Sequence, residues 1–236
     1  MVDQNRADLV SSQKQSVKEF IFDKKEELYA FLEKAVSHGY NQIRIPAGTS
    51  SLGDYSTQVC AMKKIQGKWF VGLLPYNSRV GKAGIKTKQK PIGETYDQTG
   101  IREVWEELKI VIKNPISVFR KKDNGKPESR DPDEKKKHLF SEHLVHRLIT
   151  FEVEGEIAYF PDFKNPDDPE TGQGFWLALD LLDTVFKMDP NKEVSLIIFQ
   201  RHLDTIFAAM DKIMTEDKDA MYELAPVYQS MLAKVA

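Results

Sequence analysis

The chain has 236 residues, 41% apolar and 30% charged, with a formal net charge of −2. That is the composition of an ordinary globular protein with ample core, and it excludes a collagen-like or low-complexity chain and one steered to nucleic acid by its overall field. The single cysteine, Cys60, excludes an internal disulfide and fits a reducing compartment, no apolar run approaches the roughly 18 residues of a membrane span, and the N-terminus lacks a signal-type segment, so a cytoplasmic location is expected.

Residues 14–38 carry Val17, Phe20, Ile21, Leu28, Phe31, Leu32, Ala35 and Val36 at helical spacing and end at Gly39, which predicts an amphipathic helix. The Gly-, Ser- and Thr-rich stretch 40–57 reads as a loop. Residues 58–65 and 68–76 read as paired strands around a tight turn at Gln66-Gly67. Cys60 lies in the apolar run Val59-Cys60-Ala61-Met62 and reads as a buried strand residue rather than a nucleophile. A basic loop over 77–93 carries Lys82, Lys86, Lys88 and Lys90, and a helix follows at about 98–112, running to the Asn114-Pro115 stop. Residues 115–120 suggest a strand, and 121–137, almost all charged or turn-forming, a solvated excursion. A strand is expected within 139–153, a loop over 161–174, and a strand at 175–179. Asp189-Pro190 would cap a long helix, 191–214, with Val194, Ile197, Ile198, Leu203, Ile206, Phe207 and Met210 as its buried stripe. A last helix, 217–234, should kink or break at Pro226. The expected organisation is an N-terminal helical extension (1–54), a central domain (55–212) and a C-terminal helix (213–236).

The helix at 98–112 holds the chemistry. Glu103, Glu106 and Glu107 fall at i, i+3 and i+4, within an arc of roughly 100° on one turn. Like charges so placed cost a helix a few tenths of a kcal/mol unless a cation offsets them, and Mg²⁺ takes oxygen ligands of this kind. His138, His143 and His146 offer a different metal idea, but no cysteine or second histidine pair completes a zinc set.

The order Arg102-Glu103-Val104-Trp105-Glu106-Glu107, with Gly93-Glu94 upstream, resembles the Nudix box. Glu94, Arg102, Glu103, Val104, Glu106, Glu107 and Ile110 stand at its required positions across residues 88–110, whereas its opening and helix-ending glycines are Lys88 and Lys109 here. The resemblance implies an α/β/α sandwich with a mixed sheet, here with extra terminal helices. It also implies an Mg²⁺- or Mn²⁺-dependent hydrolase that cleaves the pyrophosphate bond of a nucleoside diphosphate linked to another moiety. By the same resemblance Glu106 and Glu107 are metal ligands, and Glu103 ligates metal or takes a proton from water. Arg102 orients a neighbouring glutamate, and Glu94 ties loop to helix. A further acid often comes from a loop outside the box: Glu170 is the candidate, with Glu142 and Glu152 as alternatives. Lys86, Lys88 and Lys90 are candidate phosphate contacts. Trp69, Phe70, Tyr76 and Trp176 are candidates to stack on a base, and Trp105 reads as a packing residue. The rival reading is a binding or regulatory module that senses a nucleotide without cleaving it. A prenyl diphosphate isomerase relative ranks last, because it needs a catalytic cysteine. The expected partner is a small nucleotide, with no membrane or DNA, and a homodimer is an option that the terminal helices leave open.

Overall fold

The computed structural model describes residues 20–49, 55–82, 94–119, 144–186, 197–198 and 200–235. Its centre is a pair of long antiparallel strands, β4 (Tyr55–Ile65) and β5 (Lys68–Tyr76). Their register is closed by the turn at Gln66 (φ 50°) and Gly67 (φ 88°), the positive-φ pair that matches strand twist in a two-residue hairpin. Every residue from Thr57 to Met62 and from Phe70 to Pro75 is buried, as expected of strands covered on both faces.

The sheet spreads from this hairpin in both directions. On one side β10 (Phe175–Ala178) runs antiparallel to β5 and carries β1 (Ile21–Phe22) parallel on its far edge. On the other, β8 (Leu144–Thr150) runs parallel to β4 and antiparallel to β7 (Ile116–Phe119). At the ends, β2 (Gln42–Arg44) pairs with β5 and with β11 (Ile197–Ile198), and β3 (Ala47–Thr49) pairs with β4. A separate ribbon joins β6 (Val111–Lys113) and β9 (Glu152–Glu154). The sheet is therefore mixed.

Alternation along β4 shows that helices cover both faces. Thr57 and Val59 lie under Gly100 of α3 (Tyr96–Leu108), where a Cβ on Gly100 would come within 2.9 Å of Val59 and 2.4 Å of Leu148. Gln58, between them, points the other way and accepts a hydrogen bond from Thr205 of α5 (Gln200–Glu216) at 2.7 Å. In the chain α2 (Ser78–Lys82) precedes α3, and α4 (Leu182–Phe186) lies between α3 and α5; α6 (Lys218–Val235) packs on α5. Helix α1 (Lys25–Ser37) buries Leu28, Phe31, Leu32 and Ala35 on the body of its own chain. Phe31 there meets Phe22, Phe163 and Phe175 at ring-centroid distances of 5.0, 5.1 and 4.7 Å.

The structure corrects several expectations. Ile21 is not helical, since Ile21–Phe22 is a strand that pairs with Trp176 and Leu177. The stretch 40–57 holds β2 and β3 and the start of β4 rather than a loop, because Ile43 and Ile45 alternate into the core. Helix α3 ends at Leu108 and does not run on to Ile112, which lies in β6. Ile197 and Ile198 belong to a strand, and α5 starts only at Gln200; Leu203, Ile206, Phe207 and Met210 are buried as the stripe requires. Helix α6 runs through Pro226 without a break. Asp189-Pro190, Val194, the 121–137 excursion, Glu142, His138 and His143 lie outside the described residues, as does the 14–19 part of the first helix. Among the described residues no helix is long and apolar enough to cross a membrane.

Candidate functional site

Helix α3 begins with a reciprocal cap. The Thr95 hydroxyl accepts from the Gln98 backbone N–H at 3.3 Å, and the Gln98 side chain accepts from the Thr95 N–H at 2.8 Å. From that fixed start, one turn of helix delivers Arg102, Glu103, Glu106 and Glu107 together, beside Glu94 just upstream.

Arg102 gathers three of the acids. Its Nε and Nη2 donate to the two Glu94 oxygens at 2.8 and 3.1 Å, a two-toothed contact that matches the planar fork to a carboxylate. Its Nη1 lies 2.7 Å from Glu103 Oε1 and donates to Glu106 Oε2 at 3.3 Å. The Thr99 hydroxyl donates to Glu94 at 3.1 Å and completes that corner. Burial works against the Arg102 charge, but the Glu94 hydrogen bonds and the Glu103 charge outweigh it and raise its pKa.

Glu107 lies deeper, with a side chain 1% exposed. Arg44, on β2, donates to its Oε1, and the Ala47 backbone N–H donates to its Oε2 at 3.1 Å. The Arg44 guanidinium rests 3.8 Å from the centre of the Tyr76 ring, with Asp168 Oδ2 at 3.8 Å from its Nη2. Glu103 lies against β3, where a Cβ on Gly48 would fall 1.9 Å from its carboxyl carbon; only glycine lets the strand pass this closely. Burial is the main cause that raises the carboxyl pKa of both Glu103 and Glu107, opposed by Arg102 at the first and by Arg44 at the second.

The loop acid that reaches this cluster is Asp168. It faces Arg44 and acts on Glu107 through charge, whereas Glu170, two residues on, acts through its charge on Tyr76. Glu152 sits away from the cluster at the start of β9, accepting from Asn114 at 2.8 Å. The loop is tied to the end of α3 at two points. Buried Asn165 donates to the Glu106 carbonyl at 2.8 Å, and Lys109 pairs with Asp167. Neither Arg44 nor Asp168 was marked by the spacing of the acids. The alternation Gln42-Ile43-Arg44-Ile45 was the only available signal, and it places Arg44 opposite two core residues.

Lys86, Lys88 and Lys90 lie outside the described residues. Among the stacking candidates, Phe70 and Trp176 are buried core residues, Trp69 packs edge-on against Phe151 at 5.8 Å, and Tyr76 lies under Arg44. Trp105 does not pack as expected: it is 52% exposed, with Lys109 Nζ 5.9 Å from its ring centre. His146 is buried in β8, within 2.6 Å of the Ser117 hydroxyl and 3.6 Å of Asp97. Cys60 is fully buried, and burial pushes its thiol far above the ordinary value, which disfavours a nucleophile.

The donor set suits a hard divalent cation in chemistry, since every group it offers is a carboxylate oxygen. In arrangement it is not preassembled: among the described residues no three acids converge as a metal cage, and Glu107 is already occupied by Arg44.

No family model and no curated protein matches the chain. Among solved structures it is similar to the Nudix domain of Shewanella oneidensis NrtR in complex with ADP ribose, at 13% identity over 66% of this chain and 86% of that one, with a TM-score of 0.39. It is also similar to the mutator MutT protein from Bacillus halodurans, at 21% identity over 53% of this chain and 69% of that one, with a TM-score of 0.27. Superpositions this loose leave the functional reading to the side chains.

Proposed function

We propose that the chain is a Nudix-type hydrolase that breaks the pyrophosphate bond of a nucleoside diphosphate linked to another moiety, with Mg²⁺ or Mn²⁺ as cofactor. The observation that carries this reading is Arg102 holding Glu94, Glu103 and Glu106 at once, beside buried Glu107, on one capped turn of helix. A surface ion pair needs one partner; three acids on one helical turn, with Glu94 beside them, repel one another and support a purpose other than helix stability.

The residues divide the work as follows. Glu106 and Glu107 would hold the cation, with Glu103 as a third ligand or as the acceptor of a proton from the attacking water. Arg102 fixes the Glu103 and Glu106 carboxylates against rotation, and Glu94 fixes Arg102 in turn. The bound cation would supply charge neutralisation at the phosphate oxygens. Asp168 is the acid from outside the box. Lys86, Lys88 and Lys90 would meet the remaining phosphates.

A second reading has its own observation. The contact of Arg44 with Glu107 already neutralises a ligand that a hydrolase leaves for metal, as a module that binds nucleotide without cleaving it would allow. Release of phosphate or nucleoside monophosphate from a panel of nucleoside diphosphate derivatives, with Mg²⁺ or Mn²⁺ and an EDTA control, separates the two. The hydrolase turns over at least one member in a metal-dependent manner, and Glu107→Gln lowers that rate by at least about 100-fold. The binding module shows thermal stabilisation by a nucleotide without turnover, and Glu107→Gln leaves that affinity unchanged.

A further inference from the structure

We propose that Arg44 is an internal counter-cation that competes with the divalent metal for Glu107, so that metal entry requires the guanidinium to move from Glu107 toward Asp168. This inference rests on the metal-dependent reading above.

Both oxygens of Glu107 are taken, one by Arg44 and the other by the Ala47 N–H. The pair is withdrawn from water, with side-chain exposures of 13% for Arg44 and 1% for Glu107. A lone carboxylate in that position would be costly to bury, and removing one partner of such a pair typically destabilises a protein markedly. Arg44 therefore makes the metal-free fold tolerable. The same contact makes it a competitor, because two cations sharing one buried carboxylate repel each other.

The guanidinium has a second place to go. Asp168 Oδ2 is 3.8 Å from the nitrogen that holds Glu107, and the Tyr76 ring beneath, 3.8 Å from the guanidinium carbon, offers a flat surface over which it can shift. The backbone N–H of Glu170 donates to the other Asp168 oxygen at 3.2 Å, and the Glu170 carbonyl accepts from the Asn77 N–H at 2.8 Å, so the alternative acceptor is braced by the loop next to Tyr76. Arg44 is thus a positioning residue: it acts on the metal site through Glu107.

The test is a Mn²⁺ titration of the full chain, reading free Mn²⁺ by electron paramagnetic resonance, in wild type, Arg44→Met, Arg44→Lys and the double variant Arg44→Met/Glu107→Gln. Arg44→Met should bind Mn²⁺ more tightly than wild type by about tenfold or more. Arg44→Lys should fall between, since lysine keeps the charge and loses the fork. The gain should vanish in the double variant. If Arg44→Met folds only with metal, the same competition appears as a larger rise in Tm with Mn²⁺ than wild type shows. Equal or weaker Mn²⁺ binding by Arg44→Met, or failure of Mn²⁺ to fold or stabilise it, overturns the role of Arg44 and leaves the hydrolase reading standing if wild type binds Mn²⁺. Absence of Mn²⁺ binding in both wild type and Arg44→Met overturns both.

Discussion

Lys109 stands where α3 passes into β6, and its backbone is left-handed, with φ 61° and ψ 25°. A residue with a Cβ is strained there by roughly 1 kcal/mol, which glycine avoids. The helix nevertheless stops at this point, because Ile110 and Ile112 are buried and a further helical turn would carry both out of the core. Lys109 recovers part of the cost through its N–H to the Trp105 carbonyl at 3.1 Å and its ion pair with Asp167, whose side chain is 47% exposed. An ion pair that open is worth a few tenths of a kcal/mol. Lys109→Gly should therefore raise stability, by about 0.5 kcal/mol net, seen as a higher urea midpoint at unchanged slope. A lower midpoint would show that the tie to Asp167 outweighs the strain. The same residue shows how far single positions could be read. The spacing of Glu103, Glu106 and Glu107 fixed their shared face, because helical geometry is local. Arg44 and Asp168 meet that face only through chain folding, from separate segments whose own spacing carries no trace of it.

At the scale of the element, α3 and the central hairpin were legible because their signals are long and repeated, and the Gln66-Gly67 turn because few dipeptides accept two positive φ angles. Short strands were not. β1, β2 and β11 span two or three residues, and their hydrogen bonds come from distant partners such as Trp176, Tyr76 and Gln42. The start of α3 could have been read from Thr95-x-x-Gln98, a capping-box pattern that begins three residues before the expected helix. Thr95→Ala should cost about 1 kcal/mol in chemical denaturation, and because the cap sets the register of the acids, thermal stability should fall with it. No loss would mean that packing of Gly100 and Val104 holds the turn alone. Where α3 begins, His146 joins it to β8 and β7 through Asp97 and Ser117. Burial lowers the His146 pKa below its ordinary 6.5, with Asp97 opposing. The unfolded chain then binds a proton at a pH where the folded chain does not, so stability falls as pH drops below 6.5 toward the lowered folded value. His146→Gln should flatten the dependence of Tm on pH in that window; an unchanged slope would place the titration elsewhere.

For the whole molecule, the N-terminal segment and the 161–174 loop act as one support for the site. Phe31 of α1 packs at a tilt against Phe163, and the Tyr40 hydroxyl just after α1 donates to the Thr171 carbonyl at 3.1 Å, with the Phe163 carbonyl at 3.4 Å. The loop in turn anchors to α3 through Asn165 and Lys109, and it is this loop that brings Asp168 to Arg44. The path from an N-terminal helix to the acid cluster is therefore continuous packing and hydrogen bonding. Tyr40→Phe keeps the ring and removes a donor that spans these two segments, at a cost of about 1 kcal/mol. The loss should be local before it is global. Amide exchange should quicken at Asn165 and Gln173, whose N–H groups close the loop onto the Thr171 and Phe163 carbonyls, while the amides of β4 and β5 keep their protection. Unchanged exchange at Asn165 and Gln173 would show that the aromatic contact with Phe31 is enough to hold the loop, and that Asp168 reaches Arg44 without help from Tyr40.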